Sequence, residues 1–146
     1  MAGSLPEGVY LFRNDASGLY MELVDSDLGP NVPVVGAVAS KLAGQQWEVA
    51  AFTGDEENPT VGDEYTIKSK LGDAYVGQRA ARLFPPRLGS HDRPTPWHIE
   101  YVDEGTVRIR SRFDDVMDLA GGDTGRDILL VPWTGLNTQR WIPEEV

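Results

Sequence analysis

The chain contains no cysteine among its 146 residues. Disulfides, thiol nucleophiles and cysteine-based metal sites are therefore excluded. Basic residues are also scarce, since 13 Lys and Arg stand against 23 Asp and Glu and give a formal charge of −10. This charge would repel a phosphate backbone or an anionic membrane surface. We therefore expect neither nucleic-acid binding nor insertion into a membrane.

Long apolar runs and enzyme motifs are missing as well. No run approaches the ~20 apolar residues that span a bilayer, and the opening Met-Ala-Gly-Ser-Leu-Pro has no signal-peptide pattern. A soluble, cytoplasmic protein is the resulting expectation. There is no Gly-x-Ser-x-Gly elbow and no phosphate-binding glycine loop, and Asp25 with Asp27 lacks the other ligands of a calcium loop. We expect no enzymatic activity, no cofactor and no metal.

Glycine and proline, by contrast, are abundant. The 16 Gly and 10 Pro separate short apolar runs. None of these runs has a helical period, whereas stretches such as 9–13 and 34–38 are typical of strands. The length fits one domain. The sequence therefore predicts a single all-β domain over residues 1–146.

One sequence pattern occurs three times. Each copy begins with a short strand-like run, at 9–14, 64–69 and 106–111, and closes on a Trp followed by an apolar strand end. The closing residues are Trp47, Trp97 and Trp141, which are 50 and 44 residues apart. Three units of four strands fit a closed barrel with threefold pseudosymmetry, because a propeller needs at least about four blades.

A second register supports the repeat. In each copy a second apolar residue lies ten or eleven residues after an apolar residue of the first run. These pairs are Tyr10 with Met21, Tyr65 with Val76, and Val107 with Met117. The agreement of two registers predicts that the three copies have the same local structure.

Two copies close on Gln-x-Trp, at Gln45 and Gln139, and the second copy keeps only the Trp. This arrangement resembles the ricin-B-like β-trefoil family, particularly the small fungal lectins, over essentially the whole chain. The opening 5–10, Leu-Pro-Glu-Gly-Val-Tyr, also resembles the fungal β-trefoil protease inhibitors. The resemblance implies a β-trefoil of three pseudo-repeats, each of four strands, around a closed barrel. The repeats are expected at roughly 6–54, 62–103 and 104–146.

In the resembled lectins each repeat can present one sugar site, and the third repeat here has the matching residues. The carboxylate, the aromatic, the amide and the bracing glutamine are Asp118, Trp133, Asn137 and Gln139. A carboxylate accepts from neighbouring hydroxyls, an amide donates and accepts, and an aromatic ring packs on the apolar face of a sugar. The resemblance implies a lectin for glycans or glycoproteins with one shallow site, and a homodimer would raise its avidity.

The other two repeats lack most of these groups. In the first repeat Glu22 stands at the carboxylate position, Ala37 lies near the aromatic position, and Ala43 stands at the amide position. In the second repeat the carboxylate, amide and glutamine positions hold Gly77, Arg93 and Thr95. We therefore expect one competent site or none.

A purely structural interpretation of the same residues stays open. Gln-x-Trp is mainly a structural element, with the Trp in the core and the Gln bonded to backbone. Trp133 can also be an ordinary packed aromatic. Asp118 and Asn137 can be turn and loop residues that bond nearby backbone groups.

The alternative function is inhibition of a cysteine, serine or aspartic protease through a surface loop. A loop held in its bound conformation avoids the ordering cost of binding. The candidate is a long, proline-stiffened and locally basic segment in the repeat with the most eroded sugar site. Its residues are Arg82, Leu83, Phe84, Pro85 and Arg87. The same segment can also be a connector with no partner.

Overall fold

A computed structural model describes residues 5–40, 42–53, 64–79 and 84–146. These residues form thirteen β-strands and three 3₁₀ turns, and no α-helix is present among them. The strands are β1 (Gly8–Asn14), β2 (Tyr20–Leu23), β3 (Val34–Ala37), β4 (Trp47–Ala51), β5 (Tyr65–Ser69), β6 (Tyr75–Gln78), β7 (Leu88–His91), β8 (His98–Tyr101), β9 (Val107–Arg110), β10 (Asp115–Asp118), β11 (Arg126–Asp127), β12 (Leu129–Pro132) and β13 (Trp141–Glu145). The predicted all-β class is confirmed.

Six strands form a closed ring. β1 pairs with β13 and β4, β4 pairs with β5, and β9 pairs with β8 and β13. A bridge between Tyr65 and Trp97 joins β5 to the start of β8 and completes the circuit. All pairings are antiparallel. Closure removes the free edges that an open sheet would present.

Three hairpins cover one end of this barrel. They are formed by β2 with β3, β6 with β7, and β10 with β12. Adjacent hairpins touch through short backbone contacts, since β11 pairs with β3, Pro33 bridges Gly89, and Arg87 bridges Leu129. Residues far apart in sequence therefore meet where two hairpins adjoin.

The predicted threefold register is confirmed at the barrel. The first strand of each repeat lies opposite the closing Trp of the same repeat. The paired residues are Tyr10 with Trp47, Tyr65 with Trp97, and Val107 with Trp141. The three repeats thus contribute equivalent strand pairs to the ring.

The three closing tryptophans lie in the core, each no more than 1% exposed. Each indole N–H donates to a backbone carbonyl on the second strand of its own repeat. The acceptors are Met21 at 3.0 Å, Val76 at 2.8 Å and Met117 at 3.2 Å. These are the residues that the second sequence register singles out. Satisfying the N–H allows a large ring to be buried without a lost hydrogen bond.

The number of strands differs from the expected twelve. The extra strand is β11, which has two residues and lies in the hairpin of the third repeat. It pairs with Val35 and Gly36 of the first repeat rather than within its own repeat. A contact between hairpins, and not a local pattern, therefore creates this strand.

A buried ion pair links the second and third repeats. The Glu64 side chain is fully shielded, and both of its oxygens accept from Arg112 at 2.6 Å. This hydrogen bonding to Glu64 raises the pKa of Arg112, although burial opposes the shift. The side chain of His98 is 20% exposed, and its Nε2 lies 3.6 Å from Glu64 Oε2. A desolvated carboxylate with a bidentate guanidinium partner is satisfied, whereas an unpaired one would be costly.

Candidate functional site

The hairpin of the third repeat brings the four sequence-predicted residues to one side of the barrel. Asp118 ends β10, and Trp133 follows directly after β12. Asn137 and Gln139 are the first and last residues of a 3₁₀ turn, Asn137–Gln139, which precedes β13. The turn is held against β10, because Leu119 N–H donates to the carbonyl of Thr138 at 3.0 Å.

Gln139 holds this arrangement together. It is buried, with 1% of the residue exposed. Its Nε2 donates to Asp118 Oδ2 at 3.1 Å and to the carbonyl of Pro132 at 2.9 Å. Its Oε1 accepts from the backbone N–H of Thr134 at 2.8 Å. Gln139 is therefore a positioning residue, which fixes the carboxylate of Asp118 relative to the end of β12.

Asp118 has one oxygen committed and one without a partner. Oδ2 accepts from Gln139, whereas Oδ1 is shielded from solvent and has no hydrogen-bond partner among the described residues. A carboxylate oxygen in this state is a strong, unused acceptor. A donor from a bound molecule could satisfy it if the carboxylate turned toward the surface.

Trp133 and Asn137 supply the accessible part of the site. Trp133 is partly exposed, and the guanidinium carbon of Arg108 lies 5.0 Å from the centroid of its ring. This cation–π contact orients the indole and occupies one of its two faces. Asn137 is exposed, and its side-chain amide bonds to none of the residues that the structure describes. Its donor and acceptor both remain available.

In the first repeat Gln45 makes the same set of hydrogen bonds as Gln139, but the surface beside it differs. Gln45 Nε2 donates to Glu22 Oε1 at 3.1 Å and to the carbonyl of Val38 at 2.8 Å. Its Oε1 accepts from Ser40 N–H at 2.9 Å. Val38 therefore corresponds to Pro132, and the residue that matches Trp133 is Ala39. The assignment of the aromatic position near Ala37 was wrong by two residues, because Ala37 still belongs to β3 and is buried.

The amide is also missing from the first repeat. Ala43 begins its 3₁₀ turn, Ala43–Gln45, where Asn137 begins the turn of the third repeat. Both Ala39 and Ala43 end in a methyl group, so neither can stack on a ring or form a hydrogen bond. The first repeat thus keeps the carboxylate and loses its partners.

The second repeat has no room for a carboxylate side chain at Gly77, the position equivalent to Asp118. A Cβ on Gly77 would lie 2.5 Å from Cδ2 of His91 and 2.7 Å from Oγ1 of Thr95. The imidazole of His91 contacts the carbonyl of Gln78 and fills this space. Any side chain at position 77 would require His91 to move. The three repeats therefore differ in their sites while they share their core.

Comparison with solved structures identifies the architecture. The agglutinin of Rhizoctonia solani superimposes with a TM-score of 0.86 at 18% identity, and the match covers 99% of each chain. A designed threefold-symmetric protein, ThreeFoil, gives 0.81 at 13% identity over 95% of this chain and 99% of that chain. The ricin B-like lectin of Macrolepiota procera, in complex with lactose, gives 0.77 at 22% identity over 99% and 100%.

The protein is a β-trefoil. Its structural neighbours include ricin-B-like lectins that it matches over nearly their whole length. No protein-family model and no curated protein matches the chain by sequence. The structural similarity extends over nearly the whole chain, although the sequence identity is only 13–22%.

The alternative inhibitory loop of the trefoil is only partly described. Arg82 and Leu83 lie outside the described residues. Phe84 is 93% exposed, and Pro85 is partly buried. Arg87 does not project freely, since its Nη1 lies 3.6 Å from Asp127 Oδ2 and its backbone bridges the third-repeat hairpin. Sequence order assigned Arg87 to the second repeat, but the fold places it beside the third.

Sequence reasoning missed two features of the trefoil site. Arg108 was not singled out, although it orients Trp133, because its place in β9 shows nothing of the indole that it reaches. The unpaired oxygen of Asp118 was equally hidden, since its state depends on packing. No group of three His, Asp or Glu residues in the described ranges could hold a metal ion. No helix in those ranges has the length and apolarity to cross a membrane.

Proposed function

We propose that the protein is a lectin with a single glycan site in the third repeat. The observation that carries the proposal is the brace from Gln139 to Asp118, placed beside a partly exposed Trp133 and an exposed Asn137. A carboxylate, an amide and an aromatic face on one rim are the groups that a sugar requires. Neither of the other repeats has all three.

Each residue has a separate part in this proposal. Asp118 accepts from a hydroxyl through Oδ1 once its carboxylate turns toward the surface, and the bond from Gln139 to Oδ2 anchors the carboxylate in this turn. The sugar packs on the face of Trp133 that Arg108 leaves uncovered. Asn137 adds a further hydrogen bond from the rim. The partners are glycans or glycoproteins.

The affinity of such a site is low. One ring contact and two or three polar contacts on an open surface give a Kd on the order of 1 mM, equivalent to about 4 kcal/mol. The lactose complex of the ricin B-like lectin makes lactose a reasonable first ligand. Useful binding to a cell or glycoprotein would come from avidity, for which the trefoil would have to dimerise.

A glycan array of the wild-type protein beside two matched variants tests the proposal. Asp118→Asn removes the charge and keeps the shape, and Glu22→Gln makes the equivalent change in the first repeat. We expect Asp118→Asn to lose binding and Glu22→Gln to keep it, with both variants folded by circular dichroism. Because a site of about 1 mM is detected on an array only through avidity, each protein is first coupled to a multivalent carrier. A blank wild-type array under that condition, or equal binding by Asp118→Asn, would refute the site.

Tryptophan fluorescence gives an independent readout. The other three tryptophans are no more than 1% exposed, so Trp133 is the ring that a soluble sugar can reach. We expect lactose to change the emission of the wild-type protein and to leave that of Trp133→Phe unchanged. A sugar-dependent signal in Trp133→Phe would place the ligand elsewhere.

Inhibition of a protease is the second candidate function, and Phe84 favours it. A phenylalanine that is 93% exposed ahead of two prolines is a large apolar side chain on a stiffened segment. Titration of Phe84→Ala and the wild-type protein against serine, cysteine and aspartic proteases tests this function. Inhibition that Phe84→Ala abolishes would support it, and no inhibition by the wild-type protein would reject it.

A further inference from the structure

A small pocket opens between the tip of the third-repeat hairpin and the segment that leads into β7. It has a volume of about 210 Å³, and its lining residues are Arg87, Ala120, Arg126, Asp127 and Leu129. The backbone bridge between Arg87 and Leu129 joins the two sides of the pocket. Its walls carry two guanidinium groups and one carboxylate in a chain whose formal charge is −10.

The carboxylate of this pocket is neutralised by a third arginine. Arg79 donates to Asp127 Oδ1 at 2.6 Å, and only 13% of the Arg79 side chain is exposed. Arg87 Nη1 is 3.6 Å from Asp127 Oδ2, which is beyond hydrogen-bond distance. The short, shielded bond to Arg79 is the strong one, since charge-assisted hydrogen bonds weaken with distance. Arg87 is left with unused donors.

Arg126 is also weakly committed. Its ionic partner among the described residues is Asp123, at 3.4 Å, and that side chain is 85% exposed. Exposed pairs of this kind contribute little. Gly121 leaves room for the guanidinium, because a Cβ there would lie 3.0 Å from Nε of Arg126. Nε of Arg87 is shielded from solvent and has no hydrogen-bond partner in the described part of the chain.

The pocket adjoins the proposed sugar site. Leu129, in its wall, is the register partner of Asp118, so the two side chains lie on the same face of the hairpin. Ala120, also in its wall, is two residues beyond Asp118, and two residues of chain span at most about 7 Å. A ligand no longer than a disaccharide can therefore reach both Asp118 and the arginines.

We propose that this pocket binds the anionic group, a carboxylate or a sulfate, of an acidic glycan whose neighbouring sugar occupies the third-repeat site. The proposal rests on the lectin function proposed above. Guanidinium groups match oxyanions because they donate two parallel hydrogen bonds, and Arg87 and Arg126 both have donors available. Asp118 accepts hydrogen bonds from hydroxyls at one end of the ligand, and the two arginines donate to its anionic group at the other end.

Calorimetric titrations with lactose, sialylated lactose and sulfated lactose test the proposal. Each ligand is titrated into the wild-type protein, Arg87→Gln, Arg126→Gln and the control Arg13→Gln. Arg13 is a suitable control because it is 41% exposed and pairs with Glu144 at 3.0 Å, outside the pocket. We expect at least one acidic lactose to bind about tenfold more tightly than lactose, as one added charge-assisted contact provides. The better of the two identifies the anionic group as carboxylate or sulfate.

The variants decide whether the pocket is responsible. Arg87→Gln and Arg126→Gln should each reduce the preference for the acidic ligand and leave the affinity for lactose unchanged, whereas Arg13→Gln should preserve the preference. Higher salt should weaken only the acidic ligand. Equal affinity for acidic and neutral lactose, or a preference that survives both pocket variants, would overturn the proposal and leave the lectin function intact.

A titration with sulfate ion tests whether the pocket binds anions even if the lectin function is wrong. Nuclear magnetic resonance can follow the Nε–H signals of the arginines during a sulfate titration of the wild-type protein. Shifts at Arg87 and Arg126 without binding of any lactose would support an anion pocket and reject the lectin site. No shift at either arginine, together with no preference for acidic lactose, would reject the pocket.

Discussion

Replacing Gln139 with leucine would test the brace beneath the site. The substitution keeps the size and burial of the side chain and removes four contacts: two from Nε2 and two to Oε1 from Thr134. Pro132 and Thr134 are exposed, so water can replace part of what their backbone groups lose. Counting about 1 kcal/mol for each of two or three effective bonds, we expect a loss of about 2–3 kcal/mol.

The matched variant is Gln45→Leu in the first repeat. Gln45 makes the equivalent contacts to Glu22, Val38 and Ser40, so its loss should cost a similar free energy. For a chain of this length, 1 kcal/mol lowers Tm by roughly 2–4 °C. We therefore expect Tm to fall by roughly 4–12 °C in both variants, measured by calorimetry, with urea unfolding giving the change in free energy.

Glycan binding should separate the two variants. Gln139→Leu releases Asp118, so we expect lactose affinity to fall at least tenfold, whereas Gln45→Leu should bind like the wild-type protein. Each measurement is made well below the Tm of the less stable variant. Full lactose affinity in Gln139→Leu would refute the reasoning, because it would show that Asp118 needs no brace. Equal losses in both variants would point to a general effect of stability.

Three further predictions concern stability. Trp97→Phe leaves the carbonyl of Val76 without its indole donor, so we expect a loss of about 2 kcal/mol in urea unfolding; an unchanged midpoint would contradict the burial argument. Glu64→Gln breaks a shielded ion pair and should lower the free energy of unfolding by about 3 kcal/mol, measured in urea. An unchanged free energy would show that water solvates Arg112 in the variant. Hydrogen bonding from Arg110 holds the pKa of Glu100 below its ordinary 4.5, although burial opposes the shift. Its stabilisation is therefore complete above pH 4.5 and lost as pH falls further. The Tm gap between the wild-type protein and Glu100→Gln should close in acid, and a constant gap would exclude this linkage.

The barrel was predictable because its signal is local and repeated. Tyr10, Tyr65 and Val107 begin equivalent apolar runs, and each lies opposite a Trp in the structure. A core Trp with a backbone acceptor at fixed spacing is the same solution used three times. Differences between the repeats elsewhere do not hide it, because burial restricts these positions to large apolar side chains.

The rim was predictable only where a rigid anchor fixes the spacing. Trp133 lies six residues before Gln139, and Ala39 lies six residues before Gln45. The 3₁₀ turn and the bonds of the glutamine impose this spacing, so counting back from glutamine finds the aromatic position. The sequence analysis placed this position near Ala37 instead, and the ends of strands are poorly defined by sequence.

Contacts between hairpins could not be read from the sequence. β11 forms because the third-repeat tip reaches Val35 and Gly36 of the first repeat. Arg87 joins the third-repeat pocket because three hairpins share one end of the barrel. Neither contact leaves a local periodicity, so the two-residue strand and the cationic pocket became visible only in three dimensions.

The first repeat offers a constructive test of the lectin proposal. It retains a braced carboxylate in Glu22 and lacks an aromatic and an amide, and the equivalent positions are the exposed Ala39 and the partly exposed Ala43. The triple variant Glu22→Asp, Ala39→Trp and Ala43→Asn should therefore gain a second site. In lactose titrations followed by nuclear magnetic resonance, we expect shifts at backbone signals of both the first and the third repeat, so that the number of sites rises from one to two per chain. The control Ala39→Leu with Ala43→Leu presents apolar groups and should stay at one site.

A triple variant that is folded, as judged by Tm, and still binds one lactose would show that the four residues are not sufficient for a site. The affinity of the third repeat would then have to depend on further groups, of which Arg108 is the first candidate because it orients the ring of Trp133.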